Sequence, residues 1–240
     1  NFWRTTVQQL VDSDVIDIAV PHTSVVNLRH AVPASETNFL FTYNTQFRLF
    51  GDPILTPKTA QTSSILQHEN ISTCKPAQSE QGVFFAFRRG DYSGVHELLP
   101  SQNVNDRFVA DDLTDAIPKY IPGSALALCP SQLEDVLFVL SEGDRSTLYV
   151  YKHFEQGGEK LQSAWSRYTF GNVSILGMAW IESNFYMVVQ HDDGVWIERS
   201  RISSGQVDEG ATFTTFLDRR FKAGADTGVV GTYDDVTNTT

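Results

Sequence analysis

The sequence predicts an all-β fold of propeller type, made of repeated antiparallel blades of about four strands. Three observations carry this expectation. An apolar strand, a turn rich in Gly, Asp or Asn, and a second apolar strand recur four times, at residues 39–50, 83–99, 136–151 and 185–197. The first strands open at Phe39, Val83, Val136 and Phe185, spaced 44, 53 and 49 residues apart; the second open at Phe47, Val95, Leu148 and Val195, spaced 48, 53 and 47. One four-stranded blade uses roughly 40 to 50 residues with its turns, and a lone hairpin cannot bury its apolar face, so successive units must stack. Finally, the 16 Phe, 8 Tyr and 4 Trp lie in short runs beside Val, Ile and Leu rather than at helical spacing. With 240 residues, 41% of them hydrophobic, the chain supports a substantial core, and a single domain over residues 1–240 is expected. Its blade units are placed near 14–60, 61–117, 124–171 and 172–221.

Taken in order, residues 5–10 and 15–20 alternate as strands do, with Asp12, Ser13 and Asp14 turning between them. After the break at Pro21, residues 25–32 resume the pattern, and Phe39, Phe41 and Tyr43 then share one strand face. Asn44 and Thr45 turn the chain into residues 46–50. Pro53 and Pro57 make residues 54–58 a crossing between blades rather than a central strand. The second unit pairs residues 81–87 with 94–98 around a turn at Arg88-Arg89-Gly90-Asp91. A helical turn over 111–116 precedes residues 117–123, where Pro118 and Pro122 impose an extended, non-sheet connection. The third unit shows four strands, at 124–129, 135–140, 147–153 and 161–170. Its turns at 141–144 and 156–158 contain glycines that supply positive φ. In the fourth, strands over 173–180, 185–190 and 195–202 turn at Asp192-Asp193-Gly194, and residues 206–217 form the outer strand.

Charge and cysteine content narrow the function classes. The net charge of −11 is dispersed over turns such as Asp111-Asp112, Asp192-Asp193 and Asp234-Asp235, whereas a protein that grips phosphates clusters Lys and Arg. The only basic doublets, Arg88-Arg89 and Arg219-Arg220, read as solvated turn and edge charges that discourage strand pairing, in preference to contacts with phosphate or with a neighbouring subunit's acids. Cys74 and Cys129 are far apart without a C-x-x-C partner and read as two free thiols. No apolar run approaches the ~20 residues of a membrane-spanning helix and no secretory core opens the chain, which predicts a soluble protein. The missing initiator Met and the Gly-, Thr- and Asp-rich end suggest a piece of a longer chain whose other parts supply missing blades.

No catalytic, cofactor-binding or metal-binding residue is predicted. His22, His30, His68, His96, His153 and His191 never take zinc-ligand spacing. His191 beside Asp192 and Asp193 is the polar composition a hairpin turn requires, and Asp144 reads the same way. The elbow, P-loop and dinucleotide motifs are missing. The segment Gln190-His191-Asp192-Asp193-Gly194-Val195-Trp196 faintly resembles the Asp-box turn of sialidase propellers, but Gln190 replaces the leading Ser or Thr and the aromatic comes one residue early. Asn70-Ile71-Ser72 and Asn172-Val173-Ser174 fit a glycosylation sequon, which carries no weight without secretion. Trp3, Trp165, Trp180 and Trp196 suit blade packing better than sugar stacking.

Several stretches, in order, resemble one family. These are His30-Ala31-Val32-Pro33; Phe47-Arg48-Leu49 with Leu55-Thr56-Pro57-Lys58-Thr59; Pro118-Lys119-Tyr120-Ile121-Pro122; Tyr149-Val150-Tyr151-Lys152; Gln162-Ser163-Ala164-Trp165-Ser166 with Phe170-Gly171; and Phe216-Leu217-Asp218-Arg219-Arg220. Together they look like the nozzle, or tail tubular protein B, family of short-tailed bacteriophages, with this chain as a central fragment. The resemblance implies a structural virion protein, assembled in the host cytoplasm, that forms a homo-hexameric tube through which double-stranded DNA passes without specific binding. It further implies contacts with the tail adaptor or gatekeeper protein and with tail fibres, and contact with the host envelope through regions outside this chain. It implies no enzyme activity and no cofactor. The alternative readings are a carbohydrate-binding or glycan-cleaving propeller acting on host surface polysaccharide, and a generic scaffold for protein partners.

Overall fold

The computed structural model describes residues 14–18, 27–34, 37–52, 54–79, 82–101, 108–131, 133–156 and 159–202. Within residues 1–202, which cluster as one compact unit, the described residues form sixteen strands in four antiparallel sheets that follow one another along the chain. Sheet A holds β1 (His30–Ala34), β2 (Thr37–Phe41), β3 (Gln46–Phe50) and β4 (Gln61–Leu66). Sheet B holds β5 (Ala77–Gln78), β6 (Val83–Arg89), β7 (Tyr92–Pro100) and β8 (Phe108–Asp112), with β9 (Ile121–Pro122) added against β7. Sheet C holds β10 (Ala125–Ser131), β11 (Val136–Ser141), β12 (Thr147–Gln156) and β13 (Glu159–Thr169). Sheet D holds β14 (Ser174–Ile181), β15 (Asn184–His191) and β16 (Gly194–Arg201). Each sheet is a meander in which consecutive strands pair, so local sequence order is also spatial order.

The sheets stack face against face, as propeller blades do. Their first strands adjoin in series, β1 against β5, β5 against β10, and β10 against β14. The period-2 alternation of side chains gives each sheet two faces, and each apolar face meets the next sheet. Val32, Phe39 and Phe41 of sheet A pack on Val83, Phe85 and Leu98 of sheet B. The opposite face of sheet B, with Phe84, Ala86 and Val95, packs on Leu137, Val139, Tyr149 and Tyr151 of sheet C. Phe138, Leu140, Leu148 and Val150, on the other side of sheet C, pack on Ile175, Phe185, Met187 and Val189 of sheet D. Sheets B and C are therefore covered on both sides, which explains why β11 reads Val-Leu-Phe-Val-Leu-Ser and is buried at every position. Among the described residues strand β15 is covered on one side only, and it alternates instead, with Phe185, Met187 and Val189 buried and Val188 exposed.

Several expectations are corrected by the pairing. Residues 61–66 form β4 on β3, so the first sheet runs past the expected unit boundary at residue 60. Val15, Ile16, Asp17 and Ile18 are not in a strand, while β1 extends through Pro33 to Ala34, beyond the end expected at residue 32. Residues 121–122 join sheet B although Pro118 and Pro122 suggested a non-sheet connection: Tyr92 pairs Pro122 and Ser93 pairs Ile121. Pro122 sits on the short outermost piece, where a missing N–H does no harm. Gly143 does not adopt positive φ. It is small for another reason, since a Cβ there would lie 2.6 Å from the Pro122 carbonyl oxygen. Positive φ is instead taken by Gly90 in the β6–β7 turn and by Gly123 in the linker to sheet C. The strands expected at residues 5–10 and 206–217 and the glycines at 157–158 lie outside the described residues.

Candidate functional site

The described residues gather their specific chemistry in the seams between sheets. At the seam of B and C, Lys160 in β13 donates to the Glu97 carboxylate in β7 at 2.7 Å, and its ammonium lies 5.6 Å from the Tyr151 ring centre. Glu97 is buried because it sits mid-strand in a sheet covered on both sides. Burial pulls the Lys160 pKa down, but the Glu97 bond and charge, with Tyr151, outweigh it and hold the ammonium above its usual value. Trp165 in β13 donates its indole N–H to the Leu113 carbonyl at 2.8 Å and tilts against Tyr151 at 5.2 Å. Tyr120 stands edge-on to Tyr149 and to Trp165.

The other two seams use aromatic rings in the same way. Between C and D, Phe138 packs on Phe185 at 4.4 Å and stacks on Trp180 at 5.6 Å, and the Trp180 indole donates to the Cys129 carbonyl at 3.3 Å. Between A and B, Phe39 meets Phe108 edge-on at 5.2 Å and Phe41 lies 5.5 Å from Phe85. The Arg48 guanidinium covers Phe50 at 4.0 Å while its Nε donates to the Ser63 hydroxyl at 2.7 Å.

A recurrent backbone bond sets how each linker leaves its sheet. The Asn70 amide donates to Tyr43, the Gly123 amide to Asp91, and the Ile175 amide to Arg145. In each case an amide ahead of the next sheet or in its first residues bonds a carbonyl in the turn between the second and third strands of the preceding sheet. The turns thereby act as fixed posts for the connections, and they carry exposed acids, including Asp91, Glu142, Asp192 and Asp193. Asp144 is drawn inward instead. Burial raises its pKa, but bonds from the Ser146 amide and hydroxyl and from Thr147, together with Arg167, prevail and hold the carboxyl below its usual value.

The residues singled out from sequence distribute as follows. Arg88 and Arg89 are structural: Arg88 donates to the Ser124 hydroxyl at 2.7 Å, and Arg89 pairs with Asp112 and donates to the Thr114 carbonyl. They tie β6 to its neighbours and are not simply solvated edge charges. His191 bonds Glu198 across the β15–β16 hairpin at 2.6 Å, and Trp196, more than half exposed, donates to Asp193. Asn70 is fully buried, which rules out sugar attachment there. Cys74 and Cys129 are buried free thiols, raised by desolvation to about 12 and about 11. Among the described residues no group of three or more His, Cys, Asp or Glu is placed to hold a metal, and no helix is long and apolar enough to cross a membrane. Trp3, His22, Arg219, Arg220, Asp234 and Asp235 lie outside the described residues. Sequence reasoning missed the Lys160–Glu97 and His68–His96 pairs, although a signal existed: His96 and Glu97 are polar residues inside an otherwise apolar strand.

With seams instead of a catalytic constellation on view, relatives decide the class. The bacteriophage nozzle protein family matches the chain over residues 1–240. The chain belongs to that family. It is 30% identical over 242 residues to the tail tubular protein gp12 of Escherichia phage T7, an alignment that takes in all of this chain and 30% of that protein. The nozzle-family chain thus spans under a third of the length of this curated relative. Family membership makes it a structural protein of the phage tail, a component of the virion. Among solved structures, Hsv2 of Kluyveromyces lactis is similar at a TM-score of 0.42 and 12% identity, over 68% of this chain and 45% of that one, a likeness too slight to argue from.

Proposed function

We propose that this chain is a central portion of a longer nozzle protein and forms part of the wall of the tube through which double-stranded DNA leaves the virion. Membership of the nozzle family is the observation that carries the reading. The stacked sheets support it: interlocked aromatic seams resist shear because protein interiors pack at solid-like density. In the full-length protein the subunits assemble as a homo-hexamer against the tail adaptor or gatekeeper and the tail fibres, and parts outside this chain reach the host envelope. The four sheets belong to one propeller-like domain. The face of sheet D on which no described residue packs, with Leu176, Ile181, Val188 and Ile197 exposed, fits a site where further sheet of the longer protein stacks.

The net charge of −11 keeps the wall from adhering to passing DNA. The experiment is electron microscopy of the full-length protein, alone and with its adaptor, where six-fold rings with an open channel are expected. Monomers that never form rings with the adaptor would count against the reading. Duplex binding by the chain is expected to be weak, and tight binding with a steep salt slope would contradict the non-adhesive wall.

A further inference from the structure

Two imidazoles, one from β7 and one from the segment after sheet A, meet at the seam of A and B. His96 lies in β7 on the face turned toward sheet A, paired with Phe85 on one side and Asp112 on the other. Its ring stacks on Phe87 at 4.2 Å, tilts against Phe85 at 5.1 Å, and lies 4.8 Å from the ring of His68. His68 follows β4 and is clamped by Gln46, whose side chain donates to the His68 carbonyl at 2.8 Å and accepts the His68 amide at 3.2 Å. Gln46 is itself fully buried, so His68 has little freedom to withdraw while sheet A stays in place.

The surroundings suit a neutral His96. His96 is 8% exposed, and its Nδ1 has no hydrogen-bond partner among the described residues. Arg89 of β6 and Asp112 of β8 are the charged groups facing it, and they are paired with each other. The second Asp112 oxygen is occupied as well, accepting both the Thr114 amide and the Thr114 hydroxyl. The Asp111 main chain bonds the His96 ring, while the Asp111 side chain turns to the opposite face of sheet B. Glu69, next to His68, points outward and accepts the Tyr43 hydroxyl. A proton arriving at His96 therefore meets a second imidazole beside it and a carboxylate already committed to Arg89 and Thr114.

We propose that the His68–His96 pair makes the seam between sheets A and B acid-labile, so that protonation in mild acid loosens sheet A from sheet B. Burial is the main cause holding His96 below its ordinary value, followed by His68; Asp112 and the Asp111 bond oppose, and Arg89 adds to the depression. A histidine that binds its proton less readily when folded leaves stability untouched above the unfolded value of about 6.5 and lowers it progressively as pH falls from there to the folded value. One proton changes the opening equilibrium by at most about tenfold per pH unit. The other two seams carry the indole bonds of Trp165 and Trp180, which do not titrate.

The test is backbone hydrogen exchange of the chain at pH 7.5 and 5.0, corrected for intrinsic rates, beside His96→Phe, which keeps the ring stack and removes the proton site. Opening of β4 and of β6 to β8 is expected to rise severalfold or more in acid in the wild type and to stay flat in the variant. An equal rise in both overturns the proposal. Because the variant risks misfolding, nuclear magnetic resonance titration of the wild-type His96 ring gives a second reading: a midpoint below 6.5 is expected, and one at or above 6.5 refutes it.

Discussion

Removing Lys160 while leaving Glu97 in place tests whether the seam of B and C is held by a desolvated ion pair. The Glu97 side chain is 4% exposed and Lys160 25%, with 2.7 Å between nitrogen and oxygen. Breaking such a pair strands a buried carboxylate, which costs about 3–5 kcal/mol, whereas replacing both partners by apolar residues of similar size is close to neutral. The lysine is only partly covered, so Lys160→Met is placed at the lower end of that range, about 3 kcal/mol. Glu97→Leu leaves the ammonium nearer to solvent and costs less, about 1–2 kcal/mol, the range for leaving a polar group unsatisfied. In the double variant most of the loss is recovered. Urea unfolding of the three variants and the wild type at pH 7 closes the cycle, and its coupling of about 3 kcal/mol lies at the upper end of the range found for residues in contact.

The pH dependence of the same cycle is fixed in sign. Because the folded state raises the Lys160 pKa, the stability the pair contributes is fully present below the unfolded value of 10.5 and is lost as pH rises through the folded value. The gap between wild type and Lys160→Met therefore narrows in strong alkali. A loss below about 1 kcal/mol for Lys160→Met at pH 7, the size of an exposed pair, would show that water reaches the seam and would refute the reasoning.

Three further outcomes are expected. Phe138→Ala removes a fully buried ring that touches both Trp180 and Phe185, and calorimetry or urea unfolding is expected to show a loss of about 3–5 kcal/mol. Gly123→Ala combines a φ of 71° with a Cβ only 2.7 Å from the Gly143 amide nitrogen, so it is expected to destabilise by more than the roughly 1 kcal/mol that a strained φ alone costs; a neutral result by the same measurement contradicts the close approach. Cys74 and Cys129, held protonated by burial, are expected to resist a thiol reagent at pH 8 in the native chain and to react at once in denaturant.

The middle strands of each sheet were legible because they carry apolar side chains on one or both covered faces, whereas the two-residue inner strand β5 carried no such signal. The outer strands were much less legible. Strand β4 reads Gln-Thr-Ser-Ser-Ile-Leu and β8 reads Phe-Val-Ala-Asp-Asp, compositions of half-solvated strands that a search for apolar runs passes over. The outer strand β13 matches the strand expected over residues 161–170 as the fourth of its unit, though it begins two residues earlier. The seam chemistry was hidden for a different reason. Glu97 and Lys160 are 63 residues apart, and a period of 2 assigns each to a face without saying which sheet that face meets. Their neighbours did hold a clue. In Val95-His96-Glu97-Leu98 a titratable ring and a carboxylate point to opposite faces of a strand buried on both, so each needs a partner from a different adjoining sheet. His96 finds His68 in the segment after sheet A, and Glu97 finds Lys160 in sheet C. Glu97 thus discriminates against a wrong order of stacking, because an apolar face in place of sheet C would leave its carboxylate buried and unmatched, while the ring of His96 marks the opposite seam.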